Sequence, residues 1–361
     1  MYVICSNCLV SEFYSRGFVL VSVLWFVALL SVALAYVAEL IDSGFLKAFD
    51  EKNKIELALS QHSTEQTLLY LLATRERSYQ GIQVDRKYSP REHENPFSVN
   101  SFKPVGHIIR FDQTKYSGFG DCQYSIQDAN SLVSLRSSRL KELRRLLLSM
   151  GKTNGQVEDL IAKLKDYTDR DNRSRLGGAE QNSYSALGLE HFPRNRYLNN
   201  PVEITNILSW EQQFSPEELK IILSEVSIYP ADQLNFNFMT KRRLHWFLGQ
   251  EAAEKIIDFR RTGYFSSLQE VKEITGIVNP DLLFGVSFFP SNHILLKIHC
   301  GRQATDEWMG VTMTPKSIFQ PWEIDYRLGV LSDKGDYEKI ARDNRSTEKK
   351  VPFRHPVFSK D

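Results

Sequence analysis

A run of 21 uncharged residues, at positions 18–38, constrains this chain of 361 residues more than any other feature. A helix rises about 1.5 Å per residue, so a run of this length spans roughly 30 Å, the thickness of a bilayer's hydrocarbon core. The apolar core of a secretory signal is shorter, at about 7–15 residues. The small residues Ala33 and Ala35 nevertheless frame a match to a signal-peptidase site. A retained membrane helix and a cleaved signal therefore both stay open.

The residues on either side of the apolar run favour a retained helix. Leucines continue at helix-compatible intervals through residues 36–77, a segment with no Pro and one Gly, which predicts a helix to about Arg77. A basic residue and a glycine, Arg16 and Gly17, stand directly before Phe18 with no polar gap. We therefore expect a leader of residues 1–17 and an N-terminal helix over 18–80, with its membrane span at 18–38.

The rest of the chain changes character twice. Residues 79–104 are polar and rich in Pro, which is typical of a loop, and the β-rich runs at 105–112 and 122–136 predict a hairpin with turn residues 128–131. A mostly helical region follows, in which Ser215, Pro216 and Glu218 predict a capped helix start and Gly151 a helix end. Strand patterns then return. This order predicts an α+β fold in which one antiparallel sheet (100–136 and 290–331) is interrupted by an inserted helical domain (137–289), followed by a disordered tail (332–361).

The densest acidic cluster has part of the spacing of a calcium loop. Asp169, Asp171 and Glu180 fall at positions 1, 3 and 12 of such a loop, and all three offer hard oxygen ligands. Position 6, where an EF-hand needs Gly, is Ser174, so a regular EF-hand is not expected. An irregular calcium site that also draws on Asp166 stays open, as does a solvated loop whose arginines neutralise the acids.

The cysteines and the net charge place few constraints on the function of the protein. Cys122 and Cys300 would be able to form a disulfide if the body of the protein lies outside the cytoplasm, but the sequence alone does not bring them together. The formal net charge of +1 gives no electrostatic argument for a nucleic-acid or acidic partner. No Ser or Cys stands in a recognisable nucleophile motif, so we do not expect an enzyme.

Residues 256–277 resemble a helix-hairpin-helix element. In DNA-binding versions of this element, backbone N–H groups of the hairpin contact phosphate with support from Lys or Arg, and Arg260, Arg261 and Lys272 are nearby. The apolar residues Phe265 and Leu268 equally explain the pattern as the packing of two short helices. A membrane-anchored DNA-uptake protein is therefore the competing interpretation.

The junction before the apolar run resembles the leader of a type IV prepilin. That resemblance implies cleavage between Gly17 and Phe18 by a prepilin peptidase, methylation of Phe18, and a helix that is retained. Most pilins and pseudopilins carry Glu at the fifth mature position, where this chain has Ser22. The missing carboxylate is compatible with a place at the end of a filament, or with an ordinary membrane anchor.

Four segments, taken in order, resemble one family, the protein K minor pseudopilins of type II secretion. They are YSIQDANSLVSL (124–135), DYTDRDNRSRLGGAE (166–180), YLNNPVEI (197–204) and LNFNFMTKRRLHWFLG (234–249). The resemblance implies a pseudopilin fold with SAM-like helical repeats in the insertion, calcium in the helical domain, and no binding of nucleic acid. It further implies an inner-membrane anchor with the C-terminal domain in the periplasm, and a place at the pseudopilus tip beside the I, J and major pseudopilins.

Overall fold

The computed structural model describes residues 16–87, 102–137, 140–189, 192–231, 233–277, 285–301 and 305–331. The predictions for residues 1–15 of the leader and for the tail at 332–361 lie outside these residues. The chain divides into two units, residues 1–58 and residues 59–361, and each is described by itself.

The first unit contains most of one long helix, α1 (Arg16–Thr74). Among the described residues, α1 is the one helix long and apolar enough to cross a membrane, with a mean hydropathy of 2.5 over its most apolar window. Three serines in it, Ser22, Ser31 and Ser43, donate their hydroxyls to carbonyls three or four residues earlier. Their polar groups are thereby satisfied within the helix, as an apolar environment requires.

In the second unit, α1 ends at Thr74, three residues before its predicted end at Arg77. The segment that was predicted to be a loop begins with β-strands. β1 (Arg75–Ser78) pairs with β2 (Gly81–Lys87), which pairs with β3 (Ile108–Arg110) in a three-stranded sheet. Ile82 and Val84 are buried on β2. At Gly81 a Cβ atom would stand 2.0 Å from the carbonyl oxygen of Ile109. The turn into β2 therefore depends on a glycine, and the loop prediction was wrong over this strand.

The main sheet is antiparallel and five-stranded. Its strands are β4 (Asp112–Ser117), β5 (Cys122–Asp128), β8 (His293–Cys300), β9 (Thr305–Met313) and β10 (Trp322–Leu331), in the order β10-β9-β8-β5-β4. The neighbours β5 and β8 are far apart in sequence, yet Ile126 lies opposite Leu296 and both are buried. The predicted fold class, one sheet interrupted by helices, is confirmed.

The predicted hairpin around residues 128–131 was wrong, because β5 forms its hairpin with β4 instead, although the chain does turn at these residues. Residues 129–131 form a short 3-10 turn capped by Asp128. The buried Asp128 carboxylate also accepts hydrogen bonds from the backbone N of Ser291 at 3.0 Å and from its hydroxyl at 2.5 Å. Asp128 thus joins the point where the chain leaves the sheet to the point where it returns.

Between these two points lies the helical domain. Ser215 and Glu218 form the predicted capping box, and Gly151, with φ +82°, follows the end of the first helix. The largest buried side chains of its core include Trp210, Tyr184 and Tyr167. The elements are β6 (Val133–Ser134), α2 (Lys141–Ser149), α3 (Asn154–Thr168), α4 (Gln181–Ala186), α5 (Trp210–Gln213), α6 (Pro216–Glu225), β7 (Val226–Ser227), α7 (Lys241–Leu248), α8 (Gln250–Thr262) and α9 (Leu268–Thr275).

Candidate functional site

The acidic cluster is built on the C-terminal end of α3. A capping box of Thr153 and Gln156 starts this helix, and five of its hydrophobic residues are buried in the domain core. Asp166 in its last turn and Asp169 at its C-cap are three residues apart, so they lie on one face of the helix. Asp166 is fully buried. The fold of α3 therefore delivers two carboxylates to the same place.

Two glycines allow the following loop to bring a third carboxylate back. A Cβ atom at Gly178 would stand 1.9 Å from Oδ2 of Asp166. Gly177 has a left-handed backbone, with φ +75°, and a Cβ there would stand 2.3 Å from Oδ1 of Asp159. Only residues without a side chain permit this close approach. Glu180 follows two residues after Gly178 and is the N-cap of α4.

The three carboxylates converge on one point. Asp166, Asp169 and Glu180 each offer an oxygen, and these oxygens all lie within 4.8 Å of one another. Among the residues that the structure describes, both carboxylate oxygens of Glu180 are buried without a hydrogen-bond partner, and so is Oδ1 of Asp169. Burial raises the pKa of Glu180 to about 7, and the charges of nearby aspartates act in the same direction. A buried carboxylate without a partner is costly, and a bound cation would remove that cost.

This group of three carboxylates already has one positively charged neighbour, Arg175. The guanidinium of Arg175 donates to Oδ1 of Asp166 at 2.6 Å and also contacts the Asp169 carboxylate. Asp171, which the sequence suggested as a ligand, is exposed and lies outside the group, where its Oδ1 accepts a hydrogen bond from the backbone N of Arg173 at 2.9 Å. It stands beyond the end of α3, whereas Asp166 is held in its last turn. Asp166, and not the predicted Asp171, therefore lies in the group with Asp169 and Glu180.

The chemistry of this donor set suits a hard cation. All three candidate ligands are carboxylates, which calcium prefers, and the group contains neither the thiolate nor the imidazole ligands typical of zinc. Three residues are fewer than the six to eight oxygens that calcium takes, so backbone carbonyls or water would complete the shell.

The two cysteines of the sheet lie opposite each other. Cys122 at the start of β5 is in register with Cys300 at the end of β8, and the two are joined by a disulfide. The bond links the strands that flank the helical domain.

The hairpin between α8 and α9 is occupied by packing contacts. Phe265 and Val271 are buried in an apolar cluster. Arg260 is buried and donates to the carbonyl of Met239 at 2.6 Å and to Asp112 at 3.1 Å. Arg261 is exposed and forms an ion pair with Asp258. Two of the three basic side chains that suggested phosphate contacts, Arg260 and Arg261, thus already have protein partners.

A long apolar N-terminal helix, an antiparallel sheet and a helical domain inserted between two neighbouring strands define the class: a pseudopilin fold with a large insertion. Comparison with known proteins agrees with this class. Residues 125–231 match the family model described as "Type II secretion system (T2SS), protein K".

One related protein and one solved structure extend the comparison. The type II secretion system protein K of Pectobacterium carotovorum subsp. carotovorum is 23% identical over 234 residues, covering 62% of this chain and 66% of that protein, just under two thirds of its length. The crystal structure of the GspK-GspI-GspJ complex from the type 2 secretion system of enterotoxigenic Escherichia coli contains a chain that matches with a TM-score of 0.51 and 13% identity. That match covers 79% of this chain and all of the other.

The resemblance to the protein K family that the sequence suggested is therefore confirmed, and the match to the family model lies at residues 125–231. The competing interpretation as a DNA-uptake protein finds no support in these comparisons.

Proposed function

We propose that this protein is a minor pseudopilin that caps the tip of the type II secretion pseudopilus and takes part in protein export across the outer membrane. The observation that carries the proposal is the protein K domain at residues 125–231, set between strands of a pseudopilin fold. The role is structural, since the proposed work is assembly and capping. By analogy with the GspK-GspI-GspJ complex, its partners are the I and J minor pseudopilins. The major pseudopilin as a further partner rests on the family resemblance alone.

The start of α1 supports a terminal position. The side chain of Ser22 donates to the carbonyl of Val19 at 2.9 Å, so its hydroxyl is satisfied by its own helix. A glutamate at this position would be a charge in hydrocarbon and would need a cationic partner from a neighbouring subunit. A subunit at the filament end has no neighbour above it to supply one.

Co-expression with the I, J and major pseudopilins of the same organism tests this role. We expect the full chain to co-purify with I and J and to be present once per pseudopilus, at one end, when labelled and imaged. Labelling along the whole filament would contradict the tip position. Failure to bind I or J would contradict the proposed partners.

For the N-terminus, we propose cleavage between Gly17 and Phe18, methylation of Phe18, and retention of α1 as a single inner-membrane anchor with the body in the periplasm. The apolar composition and length of α1 support the anchor, and Arg16 before the span supports the orientation. N-terminal sequencing of the mature protein should begin at Phe18. A mature protein that begins at Tyr36 would show a cleaved signal instead. Gly17→Trp should leave unprocessed precursor in the membrane and abolish secretion.

We further propose that calcium binds between Asp166, Asp169 and Glu180. The unpartnered, buried oxygens of Glu180 support this proposal, as does the all-oxygen donor set. Calcium titrated into chelator-treated protein should raise the melting temperature, whereas magnesium, which demands a smaller octahedral shell, should have less effect. Glu180→Gln should remove the calcium response. Asp171→Asn is the matched control and should retain it, because Asp171 lies outside the group. A response that survives Glu180→Gln would contradict the assignment.

A further inference from the structure

The hairpin of β9 and β10 ends in an apolar tip. Its loop, residues 314–321, carries Ile318 and Phe319, whose side chains are 90% and 91% exposed. Among the described large hydrophobic residues of the second unit, only Leu176 is more exposed, and its chain neighbours are an arginine and a glycine. Single exposed hydrophobic residues are common on protein surfaces and need no explanation. Two adjacent ones at the tip of a hairpin indicate a contact with something outside the fold.

Hydrogen bonds within the loop hold this tip. The backbone N of Thr314 donates to the carbonyl of Pro321 at 2.8 Å and closes the loop at its base. The Thr314 hydroxyl donates to the carbonyl of Gln320 at 2.9 Å, and the backbone N of Ser317 donates to the carbonyl of Thr314 at 2.9 Å. The backbone N of Phe319 donates to the Ser317 hydroxyl at 3.2 Å. These groups are paired without water, as an apolar environment requires.

The composition of the loop suits the surface of a bilayer. It contains one cation, Lys316, and no acidic residue, and two of its residues are prolines, which have no backbone N–H to satisfy. Trp322 follows directly, at the start of β10. Tryptophan is enriched at the headgroup level of membranes, and lysine is attracted to anionic lipid. The loop thus combines apolar side chains with a cation and an adjacent tryptophan, as segments that lie at a membrane surface do.

The chain also contains a segment able to hold it at a bilayer. Helix α1 is long and apolar enough to cross a membrane, and it is covalently joined to the second unit. Tethering raises the effective concentration of one binding partner around the other. A bilayer that holds α1 is therefore offered to the loop at high effective concentration, with no further partner needed.

A protein partner is less well matched to this tip. A stable protein interface buries about 800 Å² on each partner, whereas one aromatic side chain supplies about 150–250 Å². The exposed residues beside Ile318 and Phe319 in the loop are Pro315, Lys316, Ser317 and Gln320, which add little apolar area. Insertion into lipid needs no such area and no complementary shape, because the acyl chains rearrange around the side chains.

We propose that the loop at residues 314–321 inserts Ile318 and Phe319 into a lipid surface that carries anionic headgroups. The paired polar groups of the loop, its two exposed side chains and the cation beside them support this assignment. The contact goes beyond the secretion role proposed above and does not depend on a position at the pseudopilus tip.

A quenching experiment on the full chain in lipid vesicles tests the proposal. Phe319→Cys, in a chain that also carries Cys5→Ser and Cys8→Ser, takes a single polarity-sensitive fluorophore, because Cys122 and Cys300 are joined in a disulfide. The vesicles contain a quencher on the acyl chains and are made of phosphatidylcholine with or without phosphatidylglycerol. We expect quenching at position 319, stronger with phosphatidylglycerol. Leu176→Cys, an equally exposed loop position, is the matched control and should not be quenched.

Two further variants, read with the fluorophore at Ile318→Cys, separate the apolar and the charged contributions. Phe319→Ser should lower the ratio of inserted to free loop at least tenfold, since burying such a side chain contributes about 1.5–3 kcal/mol. Lys316→Gln should lower it about fivefold in anionic vesicles and leave it unchanged in phosphatidylcholine alone. Because these side chains are exposed, both variants should keep the melting temperature of the parent.

Three results would overturn the proposal. The first is an unquenched fluorophore at position 319 in both kinds of vesicle, and the second is equal quenching at position 176. The third is a shift of the position 319 fluorescence that requires added I or J pseudopilin and does not occur with lipid alone. That result would show that the tip contacts a protein.

Discussion

The Arg175 guanidinium donates to Oδ1 of Asp166 at 2.6 Å, and its backbone N–H donates to the other oxygen of the same carboxylate at 3.0 Å. One loop residue thus holds both oxygens of a fully buried aspartate. The same side chain contacts Asp169, so it neutralises two of the three proposed calcium ligands. The structure contains the arginine-neutralised loop, and the proposed calcium ion would compete with Arg175 for the same carboxylates.

This competition predicts the behaviour of Arg175→Gln. Without its guanidinium, the calcium-free protein should melt at a lower temperature, because Asp166 stays buried with less compensation. Calcium should bind about tenfold more tightly, since it no longer displaces a charge-assisted hydrogen bond worth about 1.5–3 kcal/mol. Calorimetric titration of both proteins measures the difference. Weaker binding in the variant would mean that Arg175 supports the site instead of competing for it.

The close approach of the loop to α3 predicts that Gly178→Ala is destabilising. A methyl group there would stand 1.9 Å from Oδ2 of Asp166 and 3.1 Å from the backbone N of Arg175, so the loop must move away. We expect a loss of about 2–3 kcal/mol in the free energy of unfolding and loss of the calcium response. Gly155→Ala is the control, because its added methyl group meets nothing within 4 Å in the first turn of α3. It should be neutral or slightly stabilising.

The helix boundaries and the acidic cluster illustrate how much of the structure the sequence was able to predict. Local signals, such as the capping box at Ser215 and the glycine after α2, predicted helix boundaries, because the atoms involved are close in sequence. The acidic segment was recognised from its composition. The carboxylate that lies beside Asp169 and Glu180 is that of Asp166, and it was harder to choose over Asp171, because the choice depends on where α3 ends and which side chain the core covers.

Non-local pairing accounts for the remaining differences. The residues of β1, Arg-Glu-Arg-Ser, continue a polar helical pattern and become a strand only because β2 pairs with them. The hairpin of β5 was assigned to the wrong turn because Asp128 and Asn130 are common turn residues, whereas the actual role of Asp128 depends on Ser291, 163 residues away. The cavity lined by Lys115, Lys220 and Lys297 has no sequence pattern at all, since these residues of two strands and a helix meet only in the folded protein.

A third prediction concerns the ion pair between the last part of α1 and the edge strand β10. Arg327 donates to the two carboxylate oxygens of Glu65 at 2.8 and 2.5 Å, and the Glu65 side chain is 4% exposed. Arg327→Gln removes the cation and leaves the carboxylate buried. Arg327 is itself partly exposed, so water offsets some of the loss, and we expect about 2 kcal/mol of destabilisation in denaturant unfolding.

A surface pair supplies the control for that experiment. Arg144 and Glu158 form an ion pair whose side chains are 35% and 57% exposed, and Arg144→Gln should cost less than about 1 kcal/mol. Glu65→Gln added to Arg327→Gln should recover part of the lost stability, because the uncompensated charge is then gone. Equal losses at Arg327 and Arg144 would show that the Glu65 pair contributes no more than a surface pair.

The last prediction follows from the pH dependence of Lys297. Burial lowers the pKa of its ammonium to about 8, and the charges of Glu225 and Asp306 act in the opposite direction. Below pH 8 the lysine is protonated in both the folded and the unfolded chain, so the folded state bears the full cost of burying the charge. Between pH 8 and the ordinary lysine pKa of about 10.4, the unfolded chain binds a proton that the folded chain has released, and this contribution to stability rises with pH.

Lys297→Met removes that cost at every pH. The variant should therefore be more stable than the parent at pH 7, by about 2 kcal/mol, and the difference should shrink as pH rises from 8 to 10. Other titrating groups are common to both proteins and cancel in the difference. Denaturant unfolding of both proteins across this pH range measures it. A parent that is more stable than Lys297→Met at pH 7 would mean that the ammonium is already compensated within the fold.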